Sequence, residues 1–279
     1  MNLASLGKPL IALELSLNSG QAFHWLREGN GWIGAIGEAA VYLEQRDNEL
    51  LVNSGAEAAA ESYLALNHPL ERIAESFPKD PVTQDALAFC RGMRILRQPK
   101  WEALATFITS SMKQVAHIAQ ISHLLRRRFG KKVALGGTCV YTYPTPEALA
   151  SLSEADLRSC ALGYRAANLL ATAQKIACGS VNLDVIGSLP DEQAQRALRE
   201  LPGVGEKVAN CALLFGFERL KAFPVDVWIE RVIRERYFSK RRKSTPAAIR
   251  AFCAKTFGPY GGYAQQYLFH HARLTWKKG

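Results

Sequence analysis

Two amphipathic helices joined by a Pro-Gly-Val-Gly turn constrain this chain more than any other feature. In DEQAQRALREL (191–201), Ala194, Ala197, Leu198 and Leu201 recur at i, i+3, i+4 and i+7. Beyond the turn, Val208, Cys211, Ala212 and Phe215 repeat that spacing. LPGVGEKVANC (201–211) therefore predicts a helix–hairpin–helix, whose short connection forces two apolar faces against one core. A Gly-x-Gly turn opening a helix presents several backbone N–H groups at the positive end of the helix dipole, which is an anion site. Taken alone, such a turn more often just connects helices.

The surroundings change character along the chain. Up to about residue 95, short alternating runs separated by turn signals (IALELSL, WIGAIG, AVYLEQ and ELLVN, with EGNG and RDNE between) predict an antiparallel sheet, and AEAAAESYLAL a helix. After Gln98-Pro99 the periodicity is helical, through WEALATFITSSM, VAHIAQISHLLRRRFG, TPEALASLS, SEADLRSCAL and YRAANLLATAQKIACG. The expectation is an α+β protein, with residues 1–95 as an antiparallel β-sheet domain and residues 96–279 as a mainly α-helical region.

Thirty-five Lys and Arg against 25 Asp and Glu give a formal charge of +10, which suits a polyanionic partner. The surplus gathers in LLRRRFGKK (124–132), SKRRK (239–243) and the terminal KK. Six cysteines are scattered with no C-x-x-C pair, so iron–sulfur and zinc centres are not expected. No apolar run approaches the roughly 18 residues of a membrane span, and the opening segment lacks a secretory pattern. A cytoplasmic chain, nucleoid-associated if prokaryotic, is expected.

Lys207 and Asp226 are the candidate chemical groups. An ordinary lysine, with a pKa near ~10.4, is protonated and not nucleophilic. At a helix N-terminus in a partly buried cleft the ammonium is disfavoured, and a free amine can attack a sugar C1′ and form a Schiff base. Asp226, nineteen positions on in FPVDVW, can stabilise positive charge on a sugar losing its base or take a proton from the ammonium. The plainer readings are a phosphate-binding lysine and an Asp that only caps the helix beginning at WIERVIRERYF.

LPGVGEKVANC followed by PVDVW resembles the helix–hairpin–helix superfamily of base-excision DNA glycosylases, and within it the eukaryotic-type 8-oxoguanine DNA glycosylases. LNSGQAFHW (17–25), MRILRQPKWEALATFITSS (93–111), LGYRA (162–166) and FGPYGGYAQQYLF (257–269) occur in that family's order, so the likeness covers nearly the whole chain. It implies a helical glycosylase fold with a cleft between helical subdomains, and a bifunctional glycosylase/AP lyase without organic cofactor.

By position the resemblance makes Lys207 the nucleophile and Asp226 the catalytic aspartate. Gly20 supplies a carbonyl for the N7 hydrogen of 8-oxoguanine, Gln265 reads the Watson–Crick edge, and Cys211 and Phe269 sandwich the flipped base. Tyr164 and Arg165 face the vacated stack and the opposite cytosine, and Gly203, Gly205 and Val208 hold the DNA backbone. The hairpin carbonyls allow a bound cation.

Independently of the resemblance, Lys207/Cys211 and Gln265/Phe269 are both i, i+4 pairs, each on one helix face. Three departures stand out. Lys113 replaces an asparagine that fills the gap left by the base, His117 an arginine that reads the opposite cytosine, and Trp228 a histidine near the aspartate. They predict relaxed opposite-base selectivity. The implied partner is double-stranded DNA containing oxidised guanine, acted on by a monomer. Another glycosylase specificity, or a non-catalytic DNA-binding helix–hairpin–helix protein, remains open at this point.

Overall fold

A computed structural model describes residues 1–111, 114–238 and 245–276. The N-terminal part holds β1 (Leu3–Ser5), α1 (Leu13–Asn18), β2 (Leu26–Glu28), β3 (Gly31–Ile36), β4 (Ala39–Arg46) and β5 (Glu49–Asn53). The five strands form one antiparallel sheet in the order β1-β5-β4-β3-β2. Alternation gives it two faces: Val41 and Leu43 of β4 pack with Trp25, Trp32, Leu50 and Val52 against Leu13, Leu17, Tyr63 and Leu96, whereas Tyr42 points the other way.

IALELSL is a helix, not the expected strand. Its period-2 set contains the i, i+4 pair Leu13 and Leu17, both buried, so the short run satisfies either period. Tertiary contacts decide. The helix brings the buried Ser16 hydroxyl to accept from the Arg94 amide at 2.9 Å and to donate to the Ala12 carbonyl at 2.9 Å.

Helices α2 (Glu57–Tyr63), α3 (Leu70–Glu75) and α4 (Pro81–Phe89) lead into α5 (Lys100–Thr109) and α6 (Val115–Phe129). The helical stretch is then interrupted by a hairpin, β6 (Lys132–Leu135) and β7 (Thr138–Tyr141), with Gly136 and Gly137 both at positive φ in a two-residue loop. Val133, Leu135 and Val140 of this hairpin cover Ile33, Ala35 and Tyr42 on the outer face of the sheet. In return Leu70, Ile73, Phe77, Ala86 and Cys90 belong to the helical core, so the two halves interlock across residue 95.

The remainder is helical: α7 (Pro146–Ala150), α8 (Glu154–Leu157), α9 (Arg165–Ala177), α10 (Leu183–Ser188), α11 (Asp191–Arg199), α12 (Glu206–Gly216), α13 (Val227–Tyr237), α14 (Pro246–Thr256) and α15 (Gly261–Thr275). SEADLRSCAL, expected as one helix, breaks after α8 into a wide turn in which Ala161 has φ +63°. Among the described residues no helix is long and apolar enough to cross a membrane.

Candidate active site

The hairpin between α11 and α12 is set by its glycines. Gly203 has φ +77°, and a Cβ there would stand 2.8 Å from that of Asn168 on α9, so both conformation and space require glycine. The turn closes with the Val204 amide donating to the Leu201 carbonyl at 3.1 Å, and Thr172 donates to the Pro202 carbonyl at 3.1 Å. Gly205 starts α12 in extended conformation, and no side chain caps the helix. Its first-turn amides are thus without a side-chain acceptor, the condition for an anion site. Val208 is buried, which leaves only its N–H to meet a phosphate.

Lys207 sits in that first turn, where its Nζ donates to Ser110 Oγ at 3.0 Å and lies 5.2 Å from the centre of the Phe107 ring. The Ser110 hydroxyl donates in turn to the Phe107 carbonyl at 2.8 Å, so its lone pairs face the lysine. Ser110 therefore orients Lys207 from the end of α5, a partnership the sequence motif contains but does not single out.

Asp226 is the N-cap of α13, and its Oδ1 accepts from the Ile229 amide at 2.9 Å. The carboxylate keeps some surface open to the cavity, yet protein surrounds it closely. Desolvation raises its pKa above the ordinary carboxylate value, opposed by the Ile229 N–H and by the charge of Lys207. The capping bond leaves the carboxylate lining the cavity, so capping does not exclude a catalytic role.

One turn beyond Lys207, Cys211 is buried, and desolvation pushes its thiol up to about 11, with the Lys207 charge opposing. It is a neutral, polarisable face, suited to stacking. Across the cavity α15 presents Gln265 and Phe269. Gln265 is 4% exposed and its Oε1 is buried without a hydrogen-bond partner among the described residues, an acceptor left for a ligand.

Gly20 has φ +88°, and a Cβ on it would meet Phe269 Cε1 at 3.2 Å. The loop carrying it is held by Gln266, which donates to the Ser19 carbonyl at 3.1 Å. Gln21 donates to the carbonyls of Ser16 (2.9 Å) and Arg94 (2.8 Å) and accepts from the Leu96 amide (2.8 Å).

Gly20, Gly203, Gly205, Lys207, Val208, Cys211, Asp226, Gln265 and Phe269 all line one cavity of about 1110 Å³, joined by Trp228 and Arg273. Arg273, one turn after Phe269, was not anticipated; the i, i+4, i+8 series Gln265–Phe269–Arg273 is the signal that contained it.

The opposite-strand candidates Tyr164, Arg165 and His117 do not line this cavity. Tyr164 is 57% exposed, and Arg165 is 5% exposed with its guanidinium 4.3 Å from the Tyr164 ring centre. Arg165 Nη1 donates to the Leu162 carbonyl at 3.3 Å and Nη2 to the Ser111 carbonyl, so its donors are directed inward. His117 is exposed in the first turn of α6. Lys113 lies outside the described residues. Among the described residues no group of three or more His, Cys, Asp and Glu side chains is arranged to hold a metal ion.

Comparison with known proteins shows the family. Residues 6–104 match the family model of the 8-oxoguanine DNA glycosylase N-terminal domain, and residues 105–259 that of the HhH-GPD superfamily base excision DNA repair proteins. A probable N-glycosylase/DNA lyase of Methanothermobacter thermautotrophicus is 31% identical over 72% of this chain and 70% of its own length. The N-glycosylase/DNA lyase OGG1 of Arabidopsis thaliana is 29% identical over 93% of this chain and 76% of its own. Among solved structures, the Clostridium acetobutylicum 8-oxoguanine glycosylase/lyase bound to double-stranded DNA with cytosine opposite 8-oxoguanine superposes with a TM-score of 0.90. It is 29% identical, covering 98% of each chain.

Proposed function

We propose a working cycle for a chain that belongs to the HhH-GPD superfamily of base excision DNA repair proteins, in which it excises 8-oxoguanine from duplex DNA and cleaves the strand at the resulting abasic site. The enzyme is an N-glycosylase with DNA lyase activity. The damaged nucleotide is rotated out of the duplex into the cavity, because no side chain reaches C1′ inside the stack. The base lies between Cys211 and Phe269 with its Watson–Crick edge toward Gln265, and the Gly20 carbonyl accepts the N7 hydrogen that distinguishes 8-oxoguanine from guanine.

The Lys207 ammonium gives a proton to solvent, and the free amine attacks C1′. The glycosidic bond breaks, its electron pair leaves with the base, and the base takes up a proton. Asp226 stabilises the positive charge that develops on the sugar. Nζ gives a proton to the ring oxygen as the sugar opens, leaving an iminium between C1′ and Lys207. Loss of a C2′ proton expels the 3′ phosphate by β-elimination, and water releases the lysine. The α12 amides hold a phosphate of the same strand, which fixes register without reading sequence. All these groups come from one chain, which supports a monomer as the active unit.

The observation that carries this reading is the meeting of Lys207 and the desolvated Asp226 in one cavity, from two different helix starts. Borohydride reduction during reaction with an 8-oxoguanine duplex tests it. Wild type is expected to become covalently trapped on DNA. Lys207→Gln is expected neither to release base nor to be trapped, while still binding duplex, since affinity comes mostly from phosphate neutralisation. Efficient trapping of that variant would overturn the assignment.

A further inference from the structure

Arg273 is a guanidinium in the floor of the cavity with no ion pair to a carboxylate among the described residues. Its Cζ lies 5.6 Å from the centre of the Phe269 ring. Nη2 is spent on the protein, 3.2 Å from His270 Nδ1 and 3.4 Å from the Asn18 carbonyl. Burial and the neighbouring guanidinium push the His270 imidazole down to about 4, so it is neutral and leaves the charge of Arg273 uncompensated. Nη1 points elsewhere: it stands 3.6 Å from the position a Cβ would take on Gly20. A half-buried cation facing a cavity with no anionic partner is costly unless the ligand supplies an acceptor.

We propose that Arg273 is a specificity-determining residue whose Nη1 donates to the oxygen on C8 of the oxidised purine, beside the Gly20 carbonyl. This rests on the lesion pose described under Proposed function. In 8-oxoguanine the N7 hydrogen is flanked by the C6 oxygen on one side and the C8 oxygen on the other, so a donor adjacent to the N7 acceptor meets one of the two. The layout of α15 selects between them. Gln265, toward the Watson–Crick edge, takes the end of the base that bears the C6 oxygen. Arg273 lies two turns further on, about 12 Å along the helix axis. Phe269 lies between them on the same helix face, so Gln265 and Arg273 flank opposite ends of a base stacked on that ring. Arg273 therefore meets the C8 end, and the site reads the oxidation twice, once through the new hydrogen and once through the new oxygen.

The test compares single-turnover excision of 8-oxoguanine with that of its 8-thio analogue, which keeps the N7 hydrogen but offers sulfur, a weak acceptor, at C8. Wild type is expected to favour the oxygen lesion by roughly 10- to 100-fold, the range for one hydrogen bond from a charged donor. Arg273→Leu is expected to bring that ratio to within about threefold of unity, chiefly by slowing 8-oxoguanine, and Arg273→Lys to give an intermediate ratio, as a charge without the fork. Thermal melting establishes that each variant is folded, and if Arg273→Leu is not, the Lys and Gln substitutions decide by the same ratio. An unchanged ratio, or a parallel fall on both substrates, would mean that Arg273 only supports Phe269 and the Gly20 loop, and would overturn this inference alone. Release of neither base by wild type would instead overturn the underlying function, and this inference with it.

Discussion

The lesion side and the opposite-strand side of this protein are prepared to different degrees. Lys207, Asp226, Cys211, Gln265 and Phe269 line one cavity, with Lys207 held by Ser110 and Asp226 by its own capping bond. Arg165, which the family resemblance assigns to the opposite cytosine, instead gives both Nη groups to backbone carbonyls, and His117 stands apart in solvent. Preorganised groups deliver their full interaction to the transition state, whereas a side chain that must first break two hydrogen bonds forfeits about 0.5–1.5 kcal/mol for each. The proposed chemistry thus draws on groups already gathered in one cavity, whereas the proposed opposite-base contact requires Arg165 to exchange its protein partners.

The prepared side is the more fragile to substitution. Asp226→Asn removes one preorganised electrostatic group while retaining a good N-cap, and is expected to slow excision by a factor on the order of 10² or more with the fold intact. A normally melting variant with wild-type turnover would reduce Asp226 to a cap and dissolve the contrast.

On the unprepared side the effects are smaller. His117 offers one donor in its neutral form, without the charge and fork of an arginine, and a bidentate base contact is worth about 1–3 kcal/mol. The enzyme is therefore expected to excise 8-oxoguanine measurably opposite thymine, guanine and adenine, with cytosine preferred. His117→Arg should strengthen that preference by roughly tenfold to a hundredfold. A wild-type preference for cytosine above about a thousandfold would show that Arg165 reads the opposite base as well as a preformed pair of arginines.

The smallest effect concerns stability. Burial raises the Asp226 pKa in the folded state above its unfolded value. The folded state then binds more protons between the two values, so Asp226 costs nothing below the unfolded pKa and progressively destabilises as pH rises through the folded one. Asp226→Asn should accordingly melt like wild type under strongly acidic conditions and higher near neutrality, by about 2–4 °C per kcal/mol relieved. A lower Tm for the Asn variant at neutral pH would show that attraction to Lys207 outweighs desolvation.

The hairpin, the helices around it and the central strands are legible in the sequence because each combines a clear period with Gly or Pro punctuation. IALELSL is not, since a seven-residue alternating run fits both periods and tertiary contacts, such as that of Ser16 with Arg94, choose the helix. The Gly136-Gly137 hairpin carries a readable turn signal, but it sits inside a helical stretch and its partner strands are a hundred residues away. For the site, motif order picks out Gly20, Lys207, Cys211, Asp226, Gln265 and Phe269, which the structure brings to one cavity, and also Tyr164, Arg165 and His117, which do not line it. Ser110 and Arg273 escape it because they meet Lys207 and the loop around Gly20, distant in sequence.

Gln21 has a consequence for how such enzymes can be divided. Its amide ties the loop bearing Gly20 to the strand-like segment around Arg94 and Leu96, while its carbonyl accepts from Gln98 at 2.8 Å. The Gly20 loop and the helical part are thus fastened at the point where a modular reading would separate them. A helical half expressed by itself would lose the Gly20 loop and leave the amide of Leu96 and the Gln98 side chain without their partners. Swapping N-terminal sheets between relatives would transplant recognition only if residues 94–98 travelled with them.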